Sequence, residues 1–386
     1  MKYRLLDLLE CPQCRGKLQS HVFEFEAQKS EVTVEEPPCL TCNHPEFCAK
    51  DLPQVSDCKA CYAQEIVNGA LVCEDCKTLY PIIDGIPRFV PDAFEENPKY
   101  CNRFGEELSL LGCQVAREKD LVFQNRFGAT KRNFGFQWLR YEVTDEDEDF
   151  RVFLMKTDCE KKYFEKKVVL EGGCGMGRYV RIASRMGAEV VGIDLSGAVT
   201  RAYRENRESP LVHIVQGNLM EIPFRKGSFD FVYSIGVLHH TPDTHDAFRQ
   251  IAGLVKPSGK CAISVYGKVH PVAEFTWKMY RKILHKLPLR LVHYLCYIAV
   301  PKGFIDSWLQ RHRITRKLGA ISQCLLPVSP HPKWQVRLCD TFDWYMPQYQ
   351  RYHTYGEVTD WFRGCGFSEV KELRNEVWPV NVTGVR

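Results

Sequence analysis

The sequence predicts an α/β protein with a nucleotide-binding type of sheet, preceded by a cysteine-rich module. An apolar strand over 168–172 runs into a glycine-rich bend, a second apolar strand over 190–193 ends in Asp194, and paired cysteines cluster near the N-terminus. A strand, a glycine bend, a helix and a strand that ends in an acid form the first half of a nucleotide-binding βαβ unit. In such a unit the acid is placed to bind a ribose.

Length and composition limit the class of protein. The 386 residues predict two or three domains, and 45% apolar with 26% charged residues is ordinary for a globular protein. Charged residues interrupt the first turn, unlike a secretory signal, and the most apolar run, 291–300, is too short to span a bilayer. We therefore expect a cytoplasmic protein without a transmembrane segment.

The cysteines of the first 76 residues indicate metal binding. Nine of the 18 cysteines lie there, largely as C-x-x-C pairs, and in a reducing compartment this spacing favours metal over disulfides. Two such pairs supply the four sulfurs that a structural zinc requires. We expect one closed, structural site from Cys11, Cys14, Cys73 and Cys76.

The flanks of these pairs, residues 5–12 and 80–87, resemble the zinc-ribbon family that includes the small activator subunit of tRNA and protein methyltransferases. The resemblance implies a zinc-ribbon domain over 1–91, in which residues 19–70 look like a cysteine-rich insertion. That insertion suggests a second zinc site, from Cys39, Cys42, Cys58 and Cys61. Free thiols, or a site that includes Cys48, are the alternatives.

Residues 92–165 are predicted to form a helical and aromatic linker. The segment 133–138, Asn-Phe-Gly-Phe-Gln-Trp, is dense in aromatic residues. Aromatic side chains serve equally in a lid over a ligand pocket and in packing at a domain junction. Both interpretations remain open, and the first places Gln137 at the pocket.

The glycine bend itself distinguishes between nucleotide cofactors. Glu171 leads Gly173, Gly175 and Gly177, and a carboxylate in this position suits a cation and disfavours a diphosphate. The run resembles motif I of the class I S-adenosylmethionine-dependent methyltransferases. Their cofactor has an ammonium and a sulfonium group but no phosphate.

The resemblance continues at matching intervals. Gln216-Gly217-Asn218-Leu219 stands where the family binds adenine, 229–240 resembles the strand and loop that face the cofactor, and 254–260 the turn before the fifth strand. Asn218 replaces the usual aspartate, but its amide oxygen can still accept a hydrogen bond from the adenine amino group.

The resemblance implies a seven-stranded, Rossmann-like methyltransferase core over 166–386 that binds S-adenosyl-L-methionine. The implied cofactor contacts are Glu171, Gly173, Cys174, Gly175, Gly177, Asp194, Leu195, Asn218, Leu219, Ser234, Ile235 and Gln137.

A helical cap is predicted between the fifth strand and the closing elements, over 268–345, because apolar residues recur there at helical intervals. Residues 268–337 contain 13 Lys or Arg and two acids, a local charge of +11 against +4 for the whole chain. The cap could bind an anionic small molecule, RNA or an anionic membrane surface, or it could simply be a solvated basic surface.

The methyl group on a sulfonium is already activated, so positioning the acceptor does most of the work and a base matters when the acceptor loses a proton. His240 and His239 end the motif IV strand and are the candidate bases; a packing role is the alternative, and Asp243 and His245 are lesser candidates.

We expect methyl transfer to oxygen or nitrogen of a small molecule, with an anionic glycan or natural-product intermediate among the candidates. The alternatives are an RNA base methyltransferase that holds RNA with its zinc domain and cap, and a cofactor-binding scaffold for a partner protein. The absence of an Asn-Pro-Pro-Tyr or Asp-Pro-Pro-Tyr motif after the fourth strand argues against RNA.

Overall fold

A computed structural model provides the fold, and it describes residues 1–27, 62, 64–115, 120–142, 145–374 and 379–386. Two sheets organise these residues, one in the cysteine-rich module and one in the core. The predicted second zinc site lies outside the described residues; its ligands would be Cys39, Cys42, Cys58 and Cys61.

The N-terminal sheet is mostly antiparallel and surrounds the cysteine pairs. Its strands are β1 (Leu18–Ala27), β2 (Gln64–Cys73), β3 (Thr78–Ile83), β4 (Ile86–Pro87) and β5 (Gln114–Val115). Strands β1 to β4 pair in chain order, and β5 pairs in parallel with β3. Residues 19–27 and 64–70, which the sequence analysis places in an insertion, belong to this sheet because β1 and β2 pair along their whole length.

Short helices connect the two sheets within residues 92–165. They are α1 (Pro98–Arg103), α2 (Gly105–Leu110), α3 (Asp120–Phe123), α4 (Ala129–Arg140) and α5 (Glu146–Thr157). Helix α5 begins in a run of acids: the Asp145 side chain caps it by accepting the Glu148 backbone N–H, and acids in a first turn suit the helix dipole.

The core sheet has seven strands, which confirms the predicted fold class. They are β6 (Val168–Gly172), β7 (Glu189–Asp194), β8 (Val212–Gln216), β9 (Phe229–Ile235), β10 (Val255–Val265), β11 (Ser368–Glu372) and β12 (Val380–Val385). Their spatial order is β11-β12-β10-β9-β6-β7-β8; β12 runs antiparallel to both of its neighbours, and the other pairings are parallel.

Helices α6 (Arg178–Arg185), α7 (Val199–Asn206) and α8 (Thr244–Ala252) follow β6, β7 and β9. Every residue of β6 and β8 is buried, as expected for strands covered on both faces. The chain order reverses between β6 and β9, and ligands of open α/β sheets bind at the carboxyl ends of the strands at such a point.

Five helices occupy the predicted cap. They are α9 (Pro271–Leu284), α10 (Leu289–Cys296), α11 (Ala299–Arg311), α12 (Arg316–Leu325) and α13 (Trp334–Tyr345), and α14 (Tyr355–Gly364) then returns the chain to the sheet. Among the described residues, no helix combines the length and apolarity needed to cross a bilayer.

The N-terminal module docks on β8, the edge strand of the core sheet. The Phe89 backbone N–H donates to the Gln216 carbonyl at 2.7 Å, and Arg88 donates to the Gln216 side chain at 2.6 Å. Arg4 forms a buried ion pair with Glu189, with Nε to Oε1 at 3.0 Å. Edge strands need such cover because their unpaired backbone groups invite association.

Glu189 is the centre of a buried polar cluster at this junction. Besides Arg4, it contacts His213 at 3.1 Å and accepts a hydrogen bond from the Tyr62 hydroxyl at 3.2 Å. Burial raises the pKa of Glu189, but the His213 hydrogen bond and the Arg4 charge outweigh burial, so the pKa lies below its usual value. A charged Glu189 therefore contributes to the attachment of the module.

We predict that Arg4→Met lowers the free energy of unfolding by about 3 kcal/mol, because it leaves a buried carboxylate without its cation. Urea denaturation at neutral pH measures this loss. Glu189 has a depressed pKa when folded, so its stabilisation is present above the unfolded-state pKa and is lost as the pH falls through the folded-state pKa. The difference between variant and wild type should therefore shrink on acidification.

Arg185→Met is the matched control, because Arg185 pairs with Glu146 where both side chains are more than 60% exposed. It should change the free energy by less than about 1 kcal/mol. Equal losses in the two variants would contradict the role given to Arg4.

Candidate functional site

The glycine bend is fixed to the end of β7 by backbone hydrogen bonds. The N–H groups of Gly173 and Cys174 both donate to the Ile193 carbonyl, at 2.7 and 3.0 Å, and the Gly175 N–H donates to Asp194 Oδ2 at 2.9 Å. Gly173 has a φ of +82°, and a Cβ there would lie 2.4 Å from Val237. Only glycine fits this position.

Two carboxylates meet at this bend, as predicted. Asp194 Oδ1 accepts hydrogen bonds from the Ser196 backbone N–H and hydroxyl, at 2.8 and 2.7 Å. Glu171 is 3% exposed, and the Tyr233 hydroxyl donates to it at 3.3 Å. Burial raises the pKa of Asp194 and raises that of Glu171 well above its usual value. Both carboxylates therefore gain from a cationic or hydrogen-bond-donating ligand.

A cavity opens beside these carboxylates, and the structure brings most of the predicted cofactor contacts to its wall. The residues at the wall are Glu171, Gly173, Cys174, Gly175, Asp194, Leu195, Asn218, Leu219, Ile235 and Gln137. The amide oxygen of Asn218 already accepts the Met220 backbone N–H at 3.0 Å, which fixes the orientation of its side chain.

Two predicted cofactor contacts lie outside this wall. Ser234 is fully buried, and its hydroxyl donates to the Gly172 carbonyl at 2.7 Å, so it links β9 to β6. Gly177 caps α6 with a φ of +80°, and a Cβ there would lie 2.8 Å from Asn206. Neither residue lines the cavity, and both support the backbone around the glycine bend.

Helix α4 covers the cavity and contains the aromatic segment of the linker. Phe134, Gln137 and Trp138 line the cavity, and the Trp138 ring lies 3.2 Å from the position of a Cβ on Gly175. Phe136 points away and stacks on Phe342 of α13 with ring centroids 5.6 Å apart. The segment thus contributes both to the cavity and to packing between α4 and the cap.

The two predicted histidines have different environments. His239 lies outside the cavity lining: it is fully buried, its ring stacks on Tyr266 at 3.8 Å, and its Nδ1 accepts the Tyr266 backbone N–H at 3.3 Å. Burial, with His240 nearby, holds the pKa of His239 well below its usual value. In this position His239 packs inside the protein, which favours the packing role over that of a base.

His240 lines the cavity in an orientation that suits a base. Its Nδ1 lies 3.0 Å from the Tyr349 carbonyl, which can only accept a hydrogen bond, so the proton of the neutral ring belongs on Nδ1. The Nε2 atom is buried and has no hydrogen-bond partner within the described residues. Its lone pair is available to a ligand.

Sequence reasoning missed the residues that face His240 across the cavity. Asp343 Oδ2 lies 3.8 Å from His240 Nε2 and accepts a hydrogen bond from the Tyr266 hydroxyl at 2.7 Å. Burial raises the pKa of Asp343, but His240 and the Tyr266 hydroxyl outweigh burial, so the pKa lies below its usual value. Asp343 is therefore a carboxylate poised to stabilise a protonated His240.

Asp340 and Lys156 also line the cavity and were missed. Burial raises the pKa of Asp340 to about 6, and burial together with Arg178 lowers the pKa of Lys156 to about 8. Asp340 and Asp343 are spaced i, i+3 on α13, so they share a helix face, and they are acids beside a basic segment. That spacing was the available signal for them.

The lesser candidates Asp243 and His245 lie away from this cavity. Asp243 caps α8 by accepting the Asp246 backbone N–H at 3.0 Å, and His245 stacks on Trp361 with centroids 5.3 Å apart. Both are structural in these positions.

The first cysteine set comes together as predicted. The four sulfur atoms of this set all lie within 4.8 Å of one another; they belong to Cys11, Cys14, Cys73 and Cys76. The Cys11–Cys76 and Cys14–Cys73 sulfurs are 3.7 and 3.4 Å apart. A tetrahedron with zinc–sulfur bonds of about 2.3 Å has edges of about 3.8 Å, so these thiols fit a zinc ion.

Comparison with known families and proteins gives two separate matches. Residues 170–263 match the family model described as a methyltransferase domain, and residues 2–85 match the model described as Trm112p-like protein. The chain is 38% identical over 96 residues to 24-methylenesterol C-methyltransferase 2 of Oryza sativa subsp. japonica, which is 24% of this chain and 26% of that protein.

It is also 33% identical over 120 residues to phosphoethanolamine N-methyltransferase 2 of Caenorhabditis elegans, which is 30% of this chain and 27% of that protein. The chain thus spans about a quarter of the length of these curated relatives.

Among solved structures, an S-adenosylmethionine-dependent methyltransferase from Mesorhizobium loti covers 63% of this chain and 100% of its own, with a TM-score of 0.39 and 17% identity. The two family matches coincide with the core and with the cysteine-rich module. Residues 170–263 are therefore a methyltransferase domain and residues 2–85 a Trm112p-like domain, combined in one polypeptide.

Proposed function

We propose that the chain binds S-adenosyl-L-methionine at the glycine bend and transfers its methyl group to a small molecule held between the core and the cap. The observation that supports this most strongly is a single cavity with the buried Glu171 and the partly buried Asp194 at one end and the free Nε2 of His240 in its wall. When bound, the cofactor supplies a methyl group already activated by the sulfonium.

At the cofactor end, the chain provides complementary charge. Asp194 is placed to accept hydrogen bonds from ribose hydroxyls, and Glu171 offers negative charge to the cationic part of the ligand. Both carboxyls have a raised pKa because burial disfavours their charge, and a bound cation or donor reverses that effect. This charge pattern supports a sulfonium nucleoside over a dinucleotide.

At the acceptor end, His240 Nε2 is the proposed proton acceptor. A hydroxyl or amine of the substrate donates to this lone pair, and its proton moves to Nε2 as the methyl group is transferred. Throughout the reaction, the Nδ1–H of His240 remains hydrogen-bonded to the Tyr349 carbonyl, and this bond orients the ring. Asp343, 3.8 Å away, stabilises the imidazolium that results.

The acceptor itself is proposed to be a hydroxyl or amino compound rather than an anion held by the cap. In the cap, all of whose residues the structure describes, no Lys or Arg side chain lines the cavity; the cap contributes Cys339, Asp340 and Asp343. The basic side chains in the wall are Lys131, Lys156 and Arg178, and Lys131 and Arg178 pair with Asp92 and Asp149. Relatives named as C-, N- and O-methyltransferases leave the acceptor atom open.

An RNA base is the second candidate acceptor. The basic surface of the cap, with the Trm112p-like domain beside the core, favours it, since phosphate backbones bind clustered Lys and Arg. The cavity favours the small molecule, because α4 and the cap both close over it.

We predict that Asp194→Ala weakens S-adenosylmethionine binding by about tenfold or more. The ribose loses its hydrogen-bond acceptor, and the Gly175 N–H in the bend loses its hydrogen bond to Asp194. Isothermal titration calorimetry measures the affinity. Ser196→Ala is the control: it removes one donor to Asp194 and keeps the carboxylate, so it should bind nearly as wild type. Unchanged affinity in Asp194→Ala would refute the assignment of the site.

We predict two equivalents of zinc per chain, from the described set and from the set in the insertion. Elemental analysis of purified protein should give two, and Cys73→Ser with Cys76→Ser should give one. Cys113→Ser, which changes a thiol outside both sets, should leave the content unchanged. One equivalent in the wild type would exclude the second site.

We predict that His240→Asn lowers the rate of methyl transfer by about 100-fold or more and leaves cofactor affinity intact, because it removes the base but not the carboxylates at the bend. Formation of S-adenosylhomocysteine with a panel of phenols and amines measures the rate.

His245→Asn serves as the control, because His245 is exposed and lies outside the cavity. A wild-type rate in His240→Asn would show that His240 is not the base.

A further inference from the structure

The cap exposes an unusual amount of apolar surface. Of the 22 exposed large hydrophobic side chains in the described part of the chain, 17 lie between Val272 and Trp334. Ile314 is 94% exposed and Phe275 is 69% exposed. Scattered apolar residues on a surface need no explanation, but a concentration of this kind marks an interaction site.

These side chains form stripes along helices that pack side by side. On α9, Phe275, Met279 and Ile283 recur at helical intervals; on α12, Leu318, Ile321 and Leu325 do the same. Helix α12 contacts α9 through a hydrogen bond from Thr276 to the Cys324 carbonyl, at 2.8 Å.

On its other side, α12 contacts α11 through a hydrogen bond from Ser322 to Asp306, at 2.7 Å. Helix α11 adds Ile305 and Trp308 to the exposed apolar set. We call the exposed side chains of α9, α11 and α12, with the turn between α11 and α12, the outer cap face.

The outer cap face is also strongly basic. Ten of the 13 Lys and Arg of residues 268–337 are exposed, and six of them belong to the outer cap face: Lys278, Lys282, Arg311, Arg313, Arg316 and Lys317. The two acids of this segment offset only one of these six: Glu274 pairs with Lys278, whereas Asp306 is buried against Lys302. Exposed apolar and basic side chains therefore alternate over one part of the surface.

We propose that the outer cap face binds the surface of an anionic lipid bilayer. Interfacial helices insert Phe, Trp, Leu and Ile below the headgroups while Lys and Arg contact anionic lipids, and the outer cap face contains both sets. The chain then lies on the membrane without crossing it, in accord with the absence of a spanning helix among the described residues.

A bilayer explains the composition better than the other occupants. RNA would use the basic residues and Trp308, but exposed aliphatic side chains such as Ile305, Ile314 and Leu318 have no ring to stack on a base. A second copy bound through a twofold axis would place the same basic surface against itself, since both subunits use one patch.

This surface lies on the opposite side of the cap from the cavity. Helix α13, which supplies Asp340 and Asp343 to the cavity wall, packs beneath α9 and α11. Membrane binding does not rest on the proposed chemistry, because neither the carboxylates of the glycine bend nor His240 belong to the outer cap face.

Co-sedimentation of the full chain with vesicles tests the proposal. The protein should co-sediment with vesicles of phosphatidylcholine that contain 30% phosphatidylglycerol. With vesicles of phosphatidylcholine alone, the co-sedimenting fraction should be at least tenfold lower. The triple variant Phe275→Gln, Ile305→Gln, Ile314→Gln and the charge variant Lys282→Gln, Arg313→Gln, Arg316→Gln, Lys317→Gln should each reduce the bound fraction at least tenfold.

The matched control is Leu110→Gln, Val122→Gln, Met155→Gln, which changes three similarly exposed apolar residues outside the cap. It should bind as wild type, and thermal unfolding should show that all variants remain folded.

Three results would overturn the proposal. The first is equal sedimentation of the wild type with vesicles that contain phosphatidylglycerol and with vesicles of phosphatidylcholine alone. The second is binding of an RNA oligonucleotide at 0.15 M salt without vesicle binding, and the third is a wild-type dimer that dissociates when the three apolar residues are replaced. S-adenosylmethionine affinity is measured separately on the same samples, so loss of membrane binding and failure of the proposed function give different readouts.

Discussion

The bend after β6 is the constraint on which the candidate site depends. Two of its amides donate to the Ile193 carbonyl and a third donates to Asp194, so these hydrogen bonds tie the bend to the end of β7. The carboxylates of Glu171 and Asp194 are thereby held at one end of the cavity, although each has a raised pKa there. Without the positive φ of Gly173, a Cβ would meet Val237 and the bend would open.

The Trm112p-like module supports the same site from the other side. The loop after β8, which contains Asn218 and Leu219, is held at its start by Arg88 and Phe89 on Gln216. It is held at its end by backbone hydrogen bonds from Glu10 to Pro223 and from Arg225 to Leu8. The module therefore fixes one wall of the cavity. Loss of the Arg4–Glu189 ion pair should loosen both the module and this wall.

The sequence predicts features that have a local motif, but it does not predict which distant side chains the packing brings together. The glycine bend, Asp194 and the helical cap follow from the pattern of neighbouring residues. The first cysteine set follows from two local C-x-x-C pairs and from the four sulfurs that a zinc ion needs, although 59 residues separate Cys14 from Cys73. Asp343 and Tyr266 are 77 residues apart in sequence and meet only through the packing of α13 on the end of β10. No spacing rule relates them.

Neighbouring residues also acquire opposite roles for reasons that the sequence does not contain. His239 and His240 are adjacent, yet the first ring stacks on Tyr266 and the second opens into the cavity with Nε2 free. In the acid run at 145–149, the Asp145 side chain caps a helix, and Asp149 pairs with Arg178 at the cavity.

The cap shows why a charge count along the chain misleads about a ligand. A surplus of +11 over 268–337 suggested an anionic substrate, but the structure sorts the charges by face: the exposed basic residues lie outward among apolar side chains, and Asp340 and Asp343 lie inward. Helices separate two faces that the sequence interleaves. We therefore assign the outer charge to the proposed membrane contact, and the inner acids, with Lys156 and His240, to the proposed acceptor site.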